Sequence, residues 1–151
     1  MIVQIDRPLP ADLQQYIDEC ESHLLSGEVT EFSYPQGLSG RSITDPIWEA
    51  KKQEIKELNE TILSSLRNKA NVYAIFTKAG IGTWVPKYVG ERKAVDMRQR
   101  ITSHLINRTG NTKSKLDEVR NVVSKGESIG LRFIFLPKDT MMTLIEEEII
   151  S

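Results

Sequence analysis

Apolar residues recur at helical spacing early in the chain, where Leu13, Tyr16, Ile17, Cys20 and Leu24 follow Pro10 and Asp12. This pattern predicts an amphipathic helix that ends near Gly27. Residues 28–44 carry Pro35, Gly37, Gly40 and several Ser and Thr without apolar periodicity, which reads as a long irregular connection suited to mobility or binding. Asp45 and Pro46 then provide a helix start, because Asp can accept exposed N–H groups and Pro tolerates the first helical position. Ile47, Trp48, Ile55, Leu58, Ile62 and Leu66 extend that helix to about Asn68 as one stripe. The stripe is expected to pack on the core, and the 46–69 helix also offers a face to a second copy or a partner protein.

Past Asn71 the period shortens. Val72 to Thr77 reads as one strand and Lys87 to Val89 with its flanks as another, joined through Ala79-Gly80-Ile81-Gly82 as a hairpin with a long loop. Val95 to Ile106 predicts a helix buried along Met97, Ile101 and Leu105. Asn107 to Lys113 is a polar break, and Ser114 opens another helix through Leu116, Val119, Val122 and Val123 to Gly126. Ile129 to Leu136 is a third strand, and Asp139 introduces a last helix with Met142, Leu144, Ile145, Ile149 and Ile150. The order strand, strand, helix, helix, strand, helix predicts an α/β (α+β) fold with a small three-stranded, mostly antiparallel sheet flanked by helices. Residues 1–70 form a helical N-terminal extension packed on the core, and 71–151 form the main domain.

Composition narrows the classes. A chain of 151 residues, 39% hydrophobic and 27% charged, can bury a core as one unit. Its single cysteine, Cys20, excludes an internal disulfide, and two histidines are too few for a zinc site of Cys and His ligands. A cytoplasmic location is expected; no leader-like start and no apolar run near ~18 residues supports export or a membrane span. The net charge of -1 hides an uneven distribution. Residues 1–86 hold 8 Lys/Arg against 12 Asp/Glu, residues 87–125 hold 10 against 4, and residues 126–151 hold 2 against 5, so the parts carry -4, +6 and -3. Salt screens charges beyond roughly 10 Å, so the basic middle can attract phosphate although the whole is nearly neutral.

Within and around that basic segment lies an ordered set of chemical groups: Asn71-Val72-Tyr73, Tyr88-Val89-Gly90, then Arg100 and His104 one helical turn apart, then Glu146 on the last predicted helix. In this order, and on these element types, residues 71–151 resemble the GIY-YIG nuclease family. The family has a tyrosine on each of two hairpin strands, an arginine and then a histidine or tyrosine on the next helix, and a metal-binding glutamate late in the domain. Tyr73, Tyr88, Arg100, His104 and Glu146 stand at those places, the last because Ile149 and Ile150 follow it at the third and fourth positions.

The resemblance implies a metal-dependent DNA endonuclease. Mg²⁺, or another divalent cation such as Mn²⁺, would sit on Glu146; Arg100 would hold the scissile phosphate; and Tyr73 or His104 would help deprotonate the attacking water. Tyrosine is a poor base at its ordinary pKa near ~10, so that role needs an electropositive pocket from Arg100, Lys93 or the metal. Tyr88 would hydrogen-bond the phosphate or Tyr73, and Gly90 would let the backbone approach substrate. Arg92, Lys93, Arg98, Arg108, Lys113 and Lys115 are the candidate contacts to the DNA backbone.

The chain departs from the family pattern at Asn71, where the first motif has glycine, and at Glu91, where many members have lysine. Two other classes therefore stand beside the enzyme: a nucleic-acid-binding module that has kept the scaffold with weakened turnover, and a protein-interaction subunit built on the 46–69 helix. Gly80-Ile81-Gly82 does not make a phosphate loop, because it lacks the Lys and Ser or Thr and lies between strands.

Overall fold

A computed structural model of the chain describes residues 2–4, 13–26, 28–41, 46–107 and 114–136. In chain order these form β1 (Ile2–Gln4), α1 (Leu13–Leu25), β2 (Thr30–Phe32), α2 (Ile47–Leu58), α3 (Glu60–Ser64), β3 (Val72–Lys78), β4 (Val85–Glu91), α4 (Met97–Leu105), α5 (Leu116–Ser124) and β5 (Ser128–Phe135). The fold is mixed α+β. Its sheet is built around β5, with β3 antiparallel on one edge and β4 antiparallel beyond β3.

The other edge of β5 is shared by two short strands. β1 runs parallel to Phe133–Phe135, and β2 runs antiparallel to Ile129–Leu131. The predicted three-stranded sheet is thus a core of β3, β4 and β5 that the N-terminal residues enlarge to five strands. Each added strand has three residues, too few for alternation to register in the sequence. Thr30–Phe32 also lies inside the stretch read as an irregular connection.

Apolar layers cover both faces. Val72 through Thr77 are all buried, as a strand covered on both sides requires. On one face Tyr73, Ile75, Ile129, Leu131 and Phe133 meet Trp48, Ile55, Leu63, Ile101 and Val119 from the four later helices, and Leu66 just after α3. On the other, Val72, Ala74, Phe76, Val89 and Ile134 meet Cys20 and Leu24 of α1. The long stripe predicted for residues 46–69 therefore belongs to the protein's own core, apart from the half-exposed Leu58.

That helix is interrupted at Asn59. The buried Asn59 carboxamide donates to the carbonyls of Ile55 and Ser33 at 2.7 and 2.8 Å and accepts the Ser33 N–H at 2.7 Å. It ties the loop after β2 to the α2–α3 junction. Leaving such buried groups unpaired costs about 1–3 kcal/mol. The last predicted helix, with Glu146, lies outside the described residues, as do Arg108 and Lys113.

Candidate active site

Tyr73 sits on the helix-covered face of β3, and Tyr88 on β4 pairs with Ile75 one step along the same face. Arg100 and His104 on α4 lie over them, as the one-turn spacing predicts. The rings of Tyr73, Tyr88 and His104 form a triangle with centroid separations of 6.0, 5.5 and 5.5 Å. The Arg100 guanidinium interacts electrostatically with both phenols. Burial opposes its charge, but the attraction of the two phenol oxygens outweighs that and holds its pKa above the ordinary value. Four of the five residues named from the sequence motif thus converge; Glu146 is the one outside the described residues.

The histidine is held from both sides. Its Nε2 lies 2.6 Å from the Tyr73 hydroxyl, and its Nδ1 accepts the Lys115 backbone N–H at 2.9 Å. An imidazole nitrogen that accepts an N–H cannot carry a proton itself, so the ring's one proton is on Nε2 and is donated to Tyr73 Oη. Packing fixes this arrangement. The end of α4 is secured because Trp48 Nε1 donates to the Ile106 carbonyl at 2.8 Å, and the Tyr34 hydroxyl to that of Leu105 at 2.9 Å. Ser114 Oγ donates to the Ser103 carbonyl at 2.6 Å and accepts the Leu116 N–H at 3.0 Å, so the start of α5 presents Lys115 N–H to the ring.

Two residues of the hairpin motifs have structural reasons. A Cβ built on Gly90 would lie 2.3 Å from Tyr73 Oη and 2.4 Å from its Cζ, so the phenol occupies the space that any other side chain would take. Gly90 pairs directly with Tyr73 across the hairpin. Asn71 is fully buried; its carboxamide donates to the Leu136 carbonyl at 2.9 Å and accepts the Leu136 N–H at 2.8 Å. It extends the pairing of β3 with the chain beyond β5 by a side-chain bridge, a role that needs its amide.

The cations divide. Lys115 lies with its ammonium 4.9 Å from the centre of the Tyr88 ring, beside the cluster. Arg92 and Lys93 are exposed just past β4. Arg98, on the surface, forks onto the Glu60 carboxylate at 3.1 and 3.0 Å. Glu118 and Lys87, which the motif did not single out, line a cavity that also borders Tyr88. The one signal for Lys87 was its place next to Tyr88.

Protein-family models, curated proteins and solved structures give no match to this chain. The reading of the site therefore rests on its own chemistry. Among the described residues no three His, Cys, Asp or Glu side chains gather as a metal cage. Both nitrogens of His104 are engaged and Arg100 adds a positive charge, so these four residues do not suit a divalent cation without a carboxylate from elsewhere.

Burial, then the charges of Arg100 and Lys115, push the His104 pKa down to about 3. The unfolded chain takes up this proton below about pH 6.5, whereas the folded protein refuses it until near pH 3. The neutral ring's contribution is complete above pH 6.5 and lost progressively on acidification. At pH 5 the expected loss is about 2 kcal/mol. Urea unfolding at pH 7 and pH 5 measures it by difference between the wild type and His104→Gln. Equal acid sensitivity of the two proteins would refute the assignment. Nitrogen-15 spectra should also show a protonated Nε2 and a bare Nδ1 at neutral pH.

Proposed function

We propose that this protein is a metal-dependent endonuclease that hydrolyses DNA phosphodiester bonds by GIY-YIG-type chemistry. The observation that supports it most is the contact of the Tyr73 hydroxyl with His104 Nε2 at 2.6 Å, with the charge of Arg100 acting on the same phenol. That charge works against the burial that raises the Tyr73 pKa, and a guanidinium there is suited to a phosphate whose charge grows during attack.

The residues share the work unequally. Tyr73 is fully buried, and burial, then the neighbouring Tyr88, raises its pKa, while Arg100 acts in the opposite direction. Tyr88 is only half-buried, so water and substrate meet the cluster from its side. In this reading one phenol of the pair first loses its proton to solvent, its phenolate favoured by the Arg100 charge; it then takes a proton from the attacking water as the water oxygen bonds to phosphorus, the sugar–oxygen link to phosphorus breaks, and the departing oxygen takes a proton from solvent. Since Nδ1 and Nε2 of His104 are both occupied, the histidine acts as a donor that orients Tyr73. Mg²⁺ or Mn²⁺ held by Glu146 would neutralise charge on the departing oxygen. Lys115, Arg92 and Lys93, with Arg108 and Lys113, would follow the DNA backbone.

No described helix is long and apolar enough to cross a membrane. Cys20, the chain's one cysteine, is a buried thiol outside any disulfide. Supercoiled DNA with Mg²⁺ or EDTA tests the activity. Nicking is expected with the metal only, and is expected to vanish in Glu146→Ala. Binding without cutting under all metals would instead favour a binding module on the same scaffold.

A further inference from the structure

A cavity of about 240 Å³ opens beside the tyrosine cluster, between β3, β4, β5 and α5. Its floor is apolar, with Ile75 and Ile129 from the sheet and Val119 and Val122 from α5. Its mouth is polar and mostly cationic, with Lys87, Lys115 and one carboxylate, Glu118. Tyr88 forms the wall shared with the candidate active site. The pairing of β3 with β4 passes from Ile75 opposite Tyr88 to Phe76 opposite Pro86, so Lys87 is an extra residue in a bulge. Bulges re-aim side chains, and here Lys87 and Tyr88, although consecutive, both border the cavity.

We propose that this cavity receives one unstacked nucleobase of the substrate, from the nucleotide next to the phosphate at Arg100. This inference rests on the nuclease reading of the cluster. The space equals the share of about eight liquid waters, at ~30 Å³ each, which suits a single planar ring system and falls below the ~300 Å³ where sites for larger ligands begin. Apolar walls bury the faces of the base, as in pockets that hold extruded bases. The ammonium groups of Lys87 and Lys115 meet the phosphates on either side, and the Glu118 carboxylate can accept from an exocyclic amino group, a donor that cytosine, adenine and guanine carry and thymine lacks. Discrimination against thymine at that position of the cleavage site is the consequence.

The test uses short single-stranded and bubble-containing DNA in EDTA, so that binding is read without cleavage. An abasic residue is moved through the sequence one position at a time. At one position the affinity is expected to fall about tenfold, the scale of a lost base contact. In Val122→Phe, which adds bulk to the cavity from a half-buried lining position, the same abasic step is expected to cost nothing further; Glu118→Gln should relax the preference between bases. Circular dichroism and thermal unfolding establish that both variants fold, and the abasic scan of the wild type stands without them. A scan that is flat along the whole DNA, in a protein that binds and nicks, overturns the base pocket alone. No binding to any DNA overturns the nuclease reading and the pocket with it.

Discussion

Gly90→Ala is expected to reduce nicking about a hundredfold or more while leaving a folded protein. The new methyl carbon would stand 2.3 Å from Tyr73 Oη, well inside contact distance, so either the phenol or β4 must shift. Tyr73 is buried, its hydroxyl is held against His104 and feels the charge of Arg100, so displacement at this one point disturbs three groups. A misplacement of about 1 Å can cost ~10²-fold in rate, whereas overpacking a core costs about 1–3 kcal/mol. Gly130→Ala provides the comparison. Its added carbon would meet Val29 Cγ1 at 2.3 Å and the Trp84 ring at 2.9 Å, on the face of the sheet away from the cluster. It should lose similar stability and keep most of its nicking. Equal activity of the two variants would show that Gly90 has no special relation to the site.

The parts of this site that could be read from sequence were those whose spacing is set by regular structure. Arg100 and His104 share a helix face because 3.6 residues make a turn, and Tyr73 and Tyr88 share a sheet face because both belong to strands of one hairpin. The alternation in β5 and the stripes of α4 and α5 were legible for the same reason. What could not be read depends on contacts between distant residues. Nothing local announces that Ile2–Gln4 and Thr30–Phe32 will pair with β5, since three residues carry no periodic signal. Asn59 ends α2 through bonds to Ser33, 26 positions earlier. Arg98 was grouped with phosphate-binding cations by charge, and its exposed pairing with Glu60, across 38 positions, was not legible. The His104 tautomer is set by a backbone N–H, which no side-chain pattern can reveal. Gly90 was assigned to close approach of substrate, and the structure gives it a nearer occupant in Tyr73.

Arg100→Ala carries the other large expected effect, a fall in nicking of about 10²–10³, the usual consequence of removing a group that meets developing charge. The charge of the guanidinium acts on both tyrosine hydroxyls, so on the proposed mechanism its loss removes the phosphate's counter-charge, and it removes the group that opposes the rise of the Tyr73 pKa. A second readout needs no substrate. After burial, the charge of Arg100 is the next cause that holds the His104 pKa down. Without it the folded-state pKa rises toward the unfolded value, so the acid-induced loss of stability levels off at a higher pH than in the wild type. Arg100→Lys separates charge from shape. The ammonium keeps the cation near His104 and should preserve the wild-type acid profile, but it cannot fork between two phenols and should still nick slowly. Nicking by Arg100→Ala within threefold of wild type, on DNA that the protein cuts in Mg²⁺, would remove Arg100 from the reaction and with it the assignment of this cluster as the place where phosphate is held.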